Sequence, residues 1–103
     1  DKPAIYNKDM TIVKYYKNGD CHRDGDMPAI FDKDGSTYYY KNGKLHRDSD
    51  LPAIIGGNGT QSYYKDNQLH RDGEKPAIIS ANGLKIYYTN GNRTKVEYNG
   101  ITY

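Results

Sequence analysis

Apolar residues in this chain occur in short clusters divided by turn-forming residues. Three clusters follow one pattern, Ala29-Ile30-Phe31, Ala53-Ile54-Ile55 and Ala77-Ile78-Ile79, and each is preceded by a proline. A second series is tyrosine pairs at 15–16, 39–40, 63–64 and 87–88. No segment carries apolar residues at a 3.6-residue period, and glycine or proline interrupts the chain about every ten residues, which excludes long helices. The clusters read as short strands, with Pro28, Pro52 and Pro76 at strand openings, where a missing N–H is tolerated.

The spacing is regular. Pro-Ala-Ile stands at 3–5, 28–30, 52–54 and 76–78, and His-Arg-Asp at 22–24, 46–48 and 70–72. The Tyr-Tyr and His-Arg-Asp series step by 24 residues. The first unit has one extra residue near Asp9-Met10. Self-similarity of this kind predicts stacked copies of one supersecondary unit. The units are 1–25, 26–49, 50–73 and 74–97, followed by a tail, all within a single domain spanning 1–103.

Each unit carries two hairpin signals. One is Asp34-Gly35, Asn58-Gly59 or Asn82-Gly83 after the Pro-Ala-Ile strand. The other is Asn18-Gly19, Asn42-Gly43, Asp66-Asn67 or Asn90-Gly91 after the tyrosine pair. Asn-Gly suits a type I′ turn, which needs positive φ at both central residues. The predicted fold is all-β: tandem antiparallel β-hairpin or meander repeats stacked as an elongated single sheet or solenoid-like domain. Residues 92–103 lack His-Arg-Asp and read as a terminal cap, with a last hairpin at Asn99-Gly100 that places Tyr98 and Tyr103 over the final unit.

Strand alternation assigns the columns. Apolar residues on both sides of the Pro-Ala-Ile strand predict a strand covered on both faces. Tyr16, Tyr40, Tyr64 and Tyr88 are expected inward; Tyr15, Tyr39, Tyr63 and Tyr87 are expected outward, beside Lys17, Lys41 and Lys65. That outward Tyr/Lys column is the candidate partner-binding surface, because aromatics interleaved with cations anchor protein partners or stack bases. Cys21 shares the column of Leu45 and Leu69 and is expected to act as a small buried hydrophobe.

Composition narrows the function. Hydrophobic residues are 35% of 103, below the globular norm, but twelve tyrosines supply the strand-forming material. The net charge of +2 argues against a strongly basic nucleic-acid surface. One cysteine excludes an internal disulfide, and no apolar run approaches membrane-spanning length. These features lead to an expectation of a cytoplasmic location without membrane contact. The start at Asp1 falls inside a unit, which suggests that a preceding segment has been removed.

The string Tyr39-Tyr40-Lys41-Asn42-Gly43-Lys44-Leu45-His46-Arg47-Asp48, followed by Pro52-Ala53-Ile54-Ile55, resembles MORN-variant β-hairpin repeats of uncharacterised bacterial, phage and giant-virus proteins. Ordinary MORN repeats lack His-Arg-Asp. The resemblance covers about 97 residues, and it implies the fold and a scaffolding or binding role, with no catalytic residue and no cofactor. Its phage and viral occurrences suggest an inhibitor of a host defence protein.

His-Arg-Asp also occurs in protein-kinase catalytic loops, but the phosphate loop, strand lysine and length of a kinase are missing. A motif recurring at the unit spacing is read as architecture: His22, Arg23, Asp24, His46, Arg47, Asp48, His70, Arg71 and Asp72 form a structural ladder, with His beside Tyr, Asp capping the loop and Arg paired to a carboxylate. With two or three strands per unit, equivalent histidines lie about 10–14 Å apart, too far to share a zinc ion, so no metal is expected. The loops Asp24-Gly25-Asp26, Asp48-Ser49-Asp50 and Asp72-Gly73-Glu74 are oxygen-rich, but a calcium site needs six or more ligands, and turn capping explains them more simply. Catalysis needs asymmetry, whereas each polar group here recurs in near-identical surroundings. The sequence therefore predicts a non-enzymatic protein-binding module. The alternatives are a binder of nucleotide or single-stranded nucleic acid through the Tyr, Lys and Arg columns, and a segment of a longer array. An edge-strand dimer is compatible with the exposed first strand.

Overall fold

A computed structural model describes residues 12–103 and the backbone of residues 5–6. The extra residue near Asp9-Met10 lies outside the described residues. The strands are β1 (Ile5–Tyr6), β2 (Ile12–Lys14), β3 (Tyr16–Lys17), β4 (Asp20–Cys21), β5 (Ile30–Asp32), β6 (Thr37–Tyr38), β7 (Tyr40–Lys41) and β8 (Lys44–Leu45). They continue with β9 (Ile54–Ile55), β10 (Gln61–Ser62), β11 (Tyr64–Lys65), β12 (Gln68–Leu69), β13 (Ile78–Ile79), β14 (Lys85–Thr89), β15 (Asn92–Tyr98) and β16 (Ile101–Thr102). Among the described residues the protein is all-β, with no helix long and apolar enough to cross a membrane.

One large antiparallel sheet runs β1-β2-β5-β6-β9-β10-β13-β14-β15-β16. Three two-stranded hairpins, β3-β4, β7-β8 and β11-β12, stand off it. The principal axes measure 45 × 25 × 19 Å, so the molecule is long and thin. Cross-strand register lines up Ile30, Tyr38, Ile54, Ser62, Ile78, Ile86 and Val96 on one face of the large sheet. Val13, Phe31, Thr37, Ile55, Gln61, Ile79 and Lys85 share the other.

The two turn series differ in type. Asn18-Gly19, Asn42-Gly43, Asp66-Asn67 and Asn90-Gly91 all have positive φ at both residues, as a type I′ turn requires. In the other series only Gly35, Gly59 and Gly83 have positive φ. There the chain makes three-residue loops closed by Asp32 N–H to Ser36 O and by Gly35 N–H to Asp32 O, at 3.0 and 3.1 Å. This corrects the expectation of type I′ geometry. The Asp34 side chain accepts from Ser36 N–H at 2.9 Å, and that local bond favours a type I turn followed by a left-handed glycine.

The expectation of a strand covered on both faces also fails. Among the described residues, the buried apolar side chains are Ala29, Ala53 and Ala77, each 0% exposed, Tyr63 at 8%, and Pro52. The isoleucines and phenylalanine around them are half-buried. Backbone bonding positions the alanines: Ala53 N–H donates to Ser62 O at 2.9 Å and its carbonyl accepts from Tyr39 N–H at 2.7 Å. A sheet with so little apolar burial depends heavily on hydrogen bonds and on close backbone approach. At the cap, the Asn99-Gly100 hairpin forms, but Tyr103 is 71% exposed rather than packed over the last strands.

Neighbouring three-residue loops touch. Gly57 N–H donates to Ser36 Oγ at 3.0 Å, and a Cβ built at Gly57 would stand 2.0 Å from Asp34 O. Backbone on backbone cannot yield as a side chain does, so Gly57→Ala must push the two loops apart. It should lower stability by about 1–3 kcal/mol, the cost of overpacking. Urea unfolding checks this; an unchanged midpoint would mean that the loops are not in contact in solution.

Candidate functional site

The distinctive geometry begins at the first tyrosine of each pair. Tyr39 N–H donates to Ala53 O in the large sheet at 2.7 Å, whereas its carbonyl accepts from His46 N–H at 3.1 Å, beyond the small hairpin. Tyr15 and Tyr63 make the same two bonds. The chain therefore leaves the large sheet between the two tyrosines. The fourth pair does not: β14 runs through Tyr87 and Tyr88 with a bulge between them, paired to the long β15.

Each standing hairpin is joined to the next through its histidine. Asn42 N–H donates to His22 Nδ1 at 2.9 Å, Asp66 N–H to His46 Nδ1 at 3.3 Å and Asn90 N–H to His70 Nδ1 at 2.9 Å. A backbone N–H can only donate, so Nδ1 is the acceptor and the ring proton sits on Nε2. Nε2–H in turn donates to Asp24, Asp48 and Asp72 at 2.7, 2.8 and 2.7 Å. The middle bond is the longest, and there Asp66 replaces asparagine and brings a carboxylate oxygen to 3.4 Å from the same nitrogen. The turns reinforce the junction: Gly43 N–H donates to Cys21 O, Asn67 N–H to Leu45 O and Gly91 N–H to Leu69 O, each at 2.9 Å.

The arginines make a second set of links. Arg23, Arg47 and Arg71 lay their guanidinium groups 3.8, 3.7 and 3.8 Å over the rings of Tyr15, Tyr39 and Tyr63. Arg47 also reaches back across the sequence to Asp26, Nε to Oδ1 at 2.9 Å, and donates to Pro52 O at 3.2 Å. Arg71 does the same with Asp50 and Pro76 O, at 2.9 and 3.1 Å. The carboxylate that each of these arginines takes belongs to the preceding loop. Asp26 and Asp50 sit at positive φ, 53° for each, a conformation that costs a non-glycine residue energy and that the arginine contacts hold in place. Lys95 occupies the equivalent place in the last segment, 4.2 Å over Tyr87.

These contacts overturn the expected outward column. Tyr15, Tyr39 and Tyr87 are half-buried and Tyr63 is buried, each ring beneath a cation. The second tyrosines are not enclosed either: Tyr16 is 38% exposed, and Tyr40, Tyr64 and Tyr88 are half-buried. The reason is the departure from the sheet between the two tyrosines, which turns the first ring under the arginine and leaves the second along the row of small hairpins. Burial raises the Tyr40 phenol, with Cys21, Tyr64 and Tyr16 adding to it; Tyr64 is raised by burial and by Tyr88. Cys21 is half-buried and its thiol is raised mainly by burial, with Lys14 opposing. Lys17, Lys41 and Lys65 remain exposed, and Lys17 and Lys41 reach Asp24 and Asp48 at 3.1 and 3.6 Å.

Among the described residues two clefts open between successive His-Arg-Asp loops and a third between the last loop and β14-β15, with volumes of about 350, 390 and 600 Å³. The first is walled by residues 22–27 on one side and by Tyr39, Tyr40 and Lys41 on the other. The second repeats this with residues 46–51 and Tyr63, Tyr64 and Lys65. The third has residues 70–75 against Tyr87 and Tyr88. Met27, 46% exposed, and Leu51, 37% exposed, sit on the lips of the first two. Among the described residues no group of three or more His, Cys, Asp or Glu is placed to hold a metal ion. The arrangement can offer aromatic edges, aliphatic lips and a rim of cations paired to carboxylates. Sequence reasoning missed Met27 and Leu51; their 24-residue spacing was the available signal. No protein-family profile, curated protein or solved structure matches the chain.

Asp24, Asp48 and Asp72 all titrate below the ordinary carboxylate range, chiefly because the histidine N–H bonds their charged form. A lowered folded-state value adds stability above the unfolded value and loses it as pH falls through the folded one. Replacing all three by Asn should therefore lower the urea midpoint at pH 7, and the gap from the parent should close below about pH 4. A gap that stays constant with pH would show that the carboxylate charge contributes nothing. In Arg47→Lys the planar fork over Tyr39 is lost along with its two-point contact to Asp26, so stability should fall by about 1–3 kcal/mol. Calorimetry checks it, with Lys41→Ala as the exposed comparison expected within about 0.5 kcal/mol of the parent.

Proposed function

We propose that the protein is a non-enzymatic repeat scaffold that binds a protein partner along the row of clefts between its His-Arg-Asp loops. In this reading the chain is four units of about 24 residues in a MORN-like array, and the elongated sheet is the spine on which the loops are spaced. The single observation that carries it is the recurrence of one cleft three times, each time with a tyrosine pair and a loop rich in Arg, Asp and His. The first two clefts also carry an exposed aliphatic side chain, Met27 or Leu51.

Several observations favour binding over catalysis. Each histidine uses both ring nitrogens in holding hairpins together, which leaves neither for proton transfer. Equivalent polar groups recur in equivalent surroundings, so no position stands out as a reacting centre. Tyr, Arg and Met are also residue types enriched at protein interfaces. Nucleic acid is the weaker candidate. Cations and carboxylates are interleaved on every cleft rim and the net charge is +2, so counterion release has little to act on.

A photo-crosslinking amino acid placed at Met27 or Leu51 should capture a partner protein in the cell, and the same group at Ile101, on the edge strand, should not. Equal capture at both places, or capture only at Ile101, overturns the assignment of the cleft row.

A further inference from the structure

The spacing and bonding of the cleft row define the shape of what fits it. Each step from one cleft to the next advances two strands of the large sheet, such as β5 and β6 or β9 and β10. Strand spacing makes that step about 10 Å. The 45 Å long axis, which carries the whole sheet, agrees with this scale. A polyproline-II chain rises about 3.1 Å per residue and repeats every three residues, so its period is about 9.3 Å. A ligand in that conformation, lying along the row, would present the same face to each cleft in turn.

The backbone chemistry points the same way. An added β-strand needs a row of unpaired N–H and C=O groups, and the row of loops does not supply one. The turn N–H groups go to histidine nitrogens and to the carbonyls of Cys21, Leu45 and Leu69. The Pro28, Pro52 and Pro76 carbonyls accept from arginines. The partner must therefore be a chain that does not rely on a ladder of main-chain bonds, and polyproline II has no internal ladder to satisfy. What the clefts offer it is aromatic: the row of Tyr40, Tyr64 and Tyr88 with Met27 and Leu51 beside it. Aromatic-lined grooves are how proline-rich segments are recognised elsewhere.

The rim sets the charge. On the rim Lys41 is held by Asp48 and Lys75 by Asp50, and the Lys65 charge acts on Asp72, so the rim is locally compensated and gives a strongly charged segment no advantage. Resting on the reading that the cleft row is the binding face, we propose that its partner is an uncharged, proline-rich segment in the polyproline-II conformation with an aliphatic residue at every third position. Successive aliphatic side chains enter the first two clefts between the Met27 or Leu51 lip and the tyrosine of the following hairpin, and the third, where Lys75 holds the corresponding place, beside Tyr88. The rigid spacing gives selectivity for period as well as for composition, because a chain of another period can fill one cleft but not its neighbours.

The test uses the full chain and fluorescence anisotropy with a labelled peptide of four Leu-Pro-Pro triplets. The comparison peptide is its isomer with the four leucines contiguous, and a thymidine oligonucleotide serves as a third probe. The triplet peptide should bind at least about tenfold tighter than the isomer, and Leu51→Glu should weaken it about tenfold, whereas Ile101→Ser should not change it. Leu51 is exposed, so a loss of folding is not expected there, and the urea midpoint of each variant checks this. Equal binding of the two peptides, tighter binding of the oligonucleotide, or no peptide binding at millimolar concentration overturns the proposal. Capture of a protein at Leu51 with equal binding of the two peptides would overturn the extended geometry and leave the binding face standing.

Discussion

Much of this structure depends on one imidazole hydrogen-bond pattern. Three small hairpins leave the large sheet, and a two-stranded hairpin alone is marginal in water. Each is held because a histidine at its base accepts the N–H of the next turn while donating to its own aspartate. The ring has to be neutral, with its proton on Nε2, for both bonds to exist. Asp24, Asp48 and Asp72 fix that tautomer, and for this reason a surface-exposed carboxylate contributes to internal order.

The arginine contacts act on the same junction from the other side. A guanidinium stacked on a tyrosine is worth about 0.5–2 kcal/mol, and its bonds to a carboxylate and a carbonyl add to that. In a fold where the completely buried apolar residues are alanines, such contacts carry weight that a leucine core would carry elsewhere. The same shortage of side-chain volume in the interior permits the close approach of main chain at Gly57 and the small Ala29, Ala53 and Ala77 column. A thin sheet is tolerable here because its polar groups are paired: among the described residues no buried side-chain nitrogen or oxygen lacks a partner.

Because the histidines, arginines and loop carboxylates are occupied with one another, they form the walls of the clefts more than their contents. The groups left over are the second tyrosines, the lysine stems and the residues following the left-handed loop positions, Met27 and Leu51. The surface that remains open is aromatic and aliphatic with a compensated rim, and it differs from the bare tyrosine and lysine face suggested by alternation alone.

The sequence by itself determined the strands, the hairpins and most of the turn chemistry. Asn-Gly marks a tight turn locally at every occurrence, but it takes positive φ at both residues at 18–19, 42–43 and 90–91 and only at the glycine at 58–59 and 82–83. The antiparallel all-β class followed from the same local signals. Only the tertiary structure decided which way the tyrosines face. Period-two alternation runs unbroken through Tyr39-Tyr40, yet the chain changes partners between them, from Ala53 on one side to Leu45 on the other. That change is made with residues up to fourteen positions away, and Arg47, which covers Tyr39, also bonds Asp26, 21 residues back. Local pattern specifies backbone geometry because φ and ψ respond to adjacent atoms. The direction a side chain finally takes, and so the face left open to solvent, is set by neighbours that only folding brings into contact.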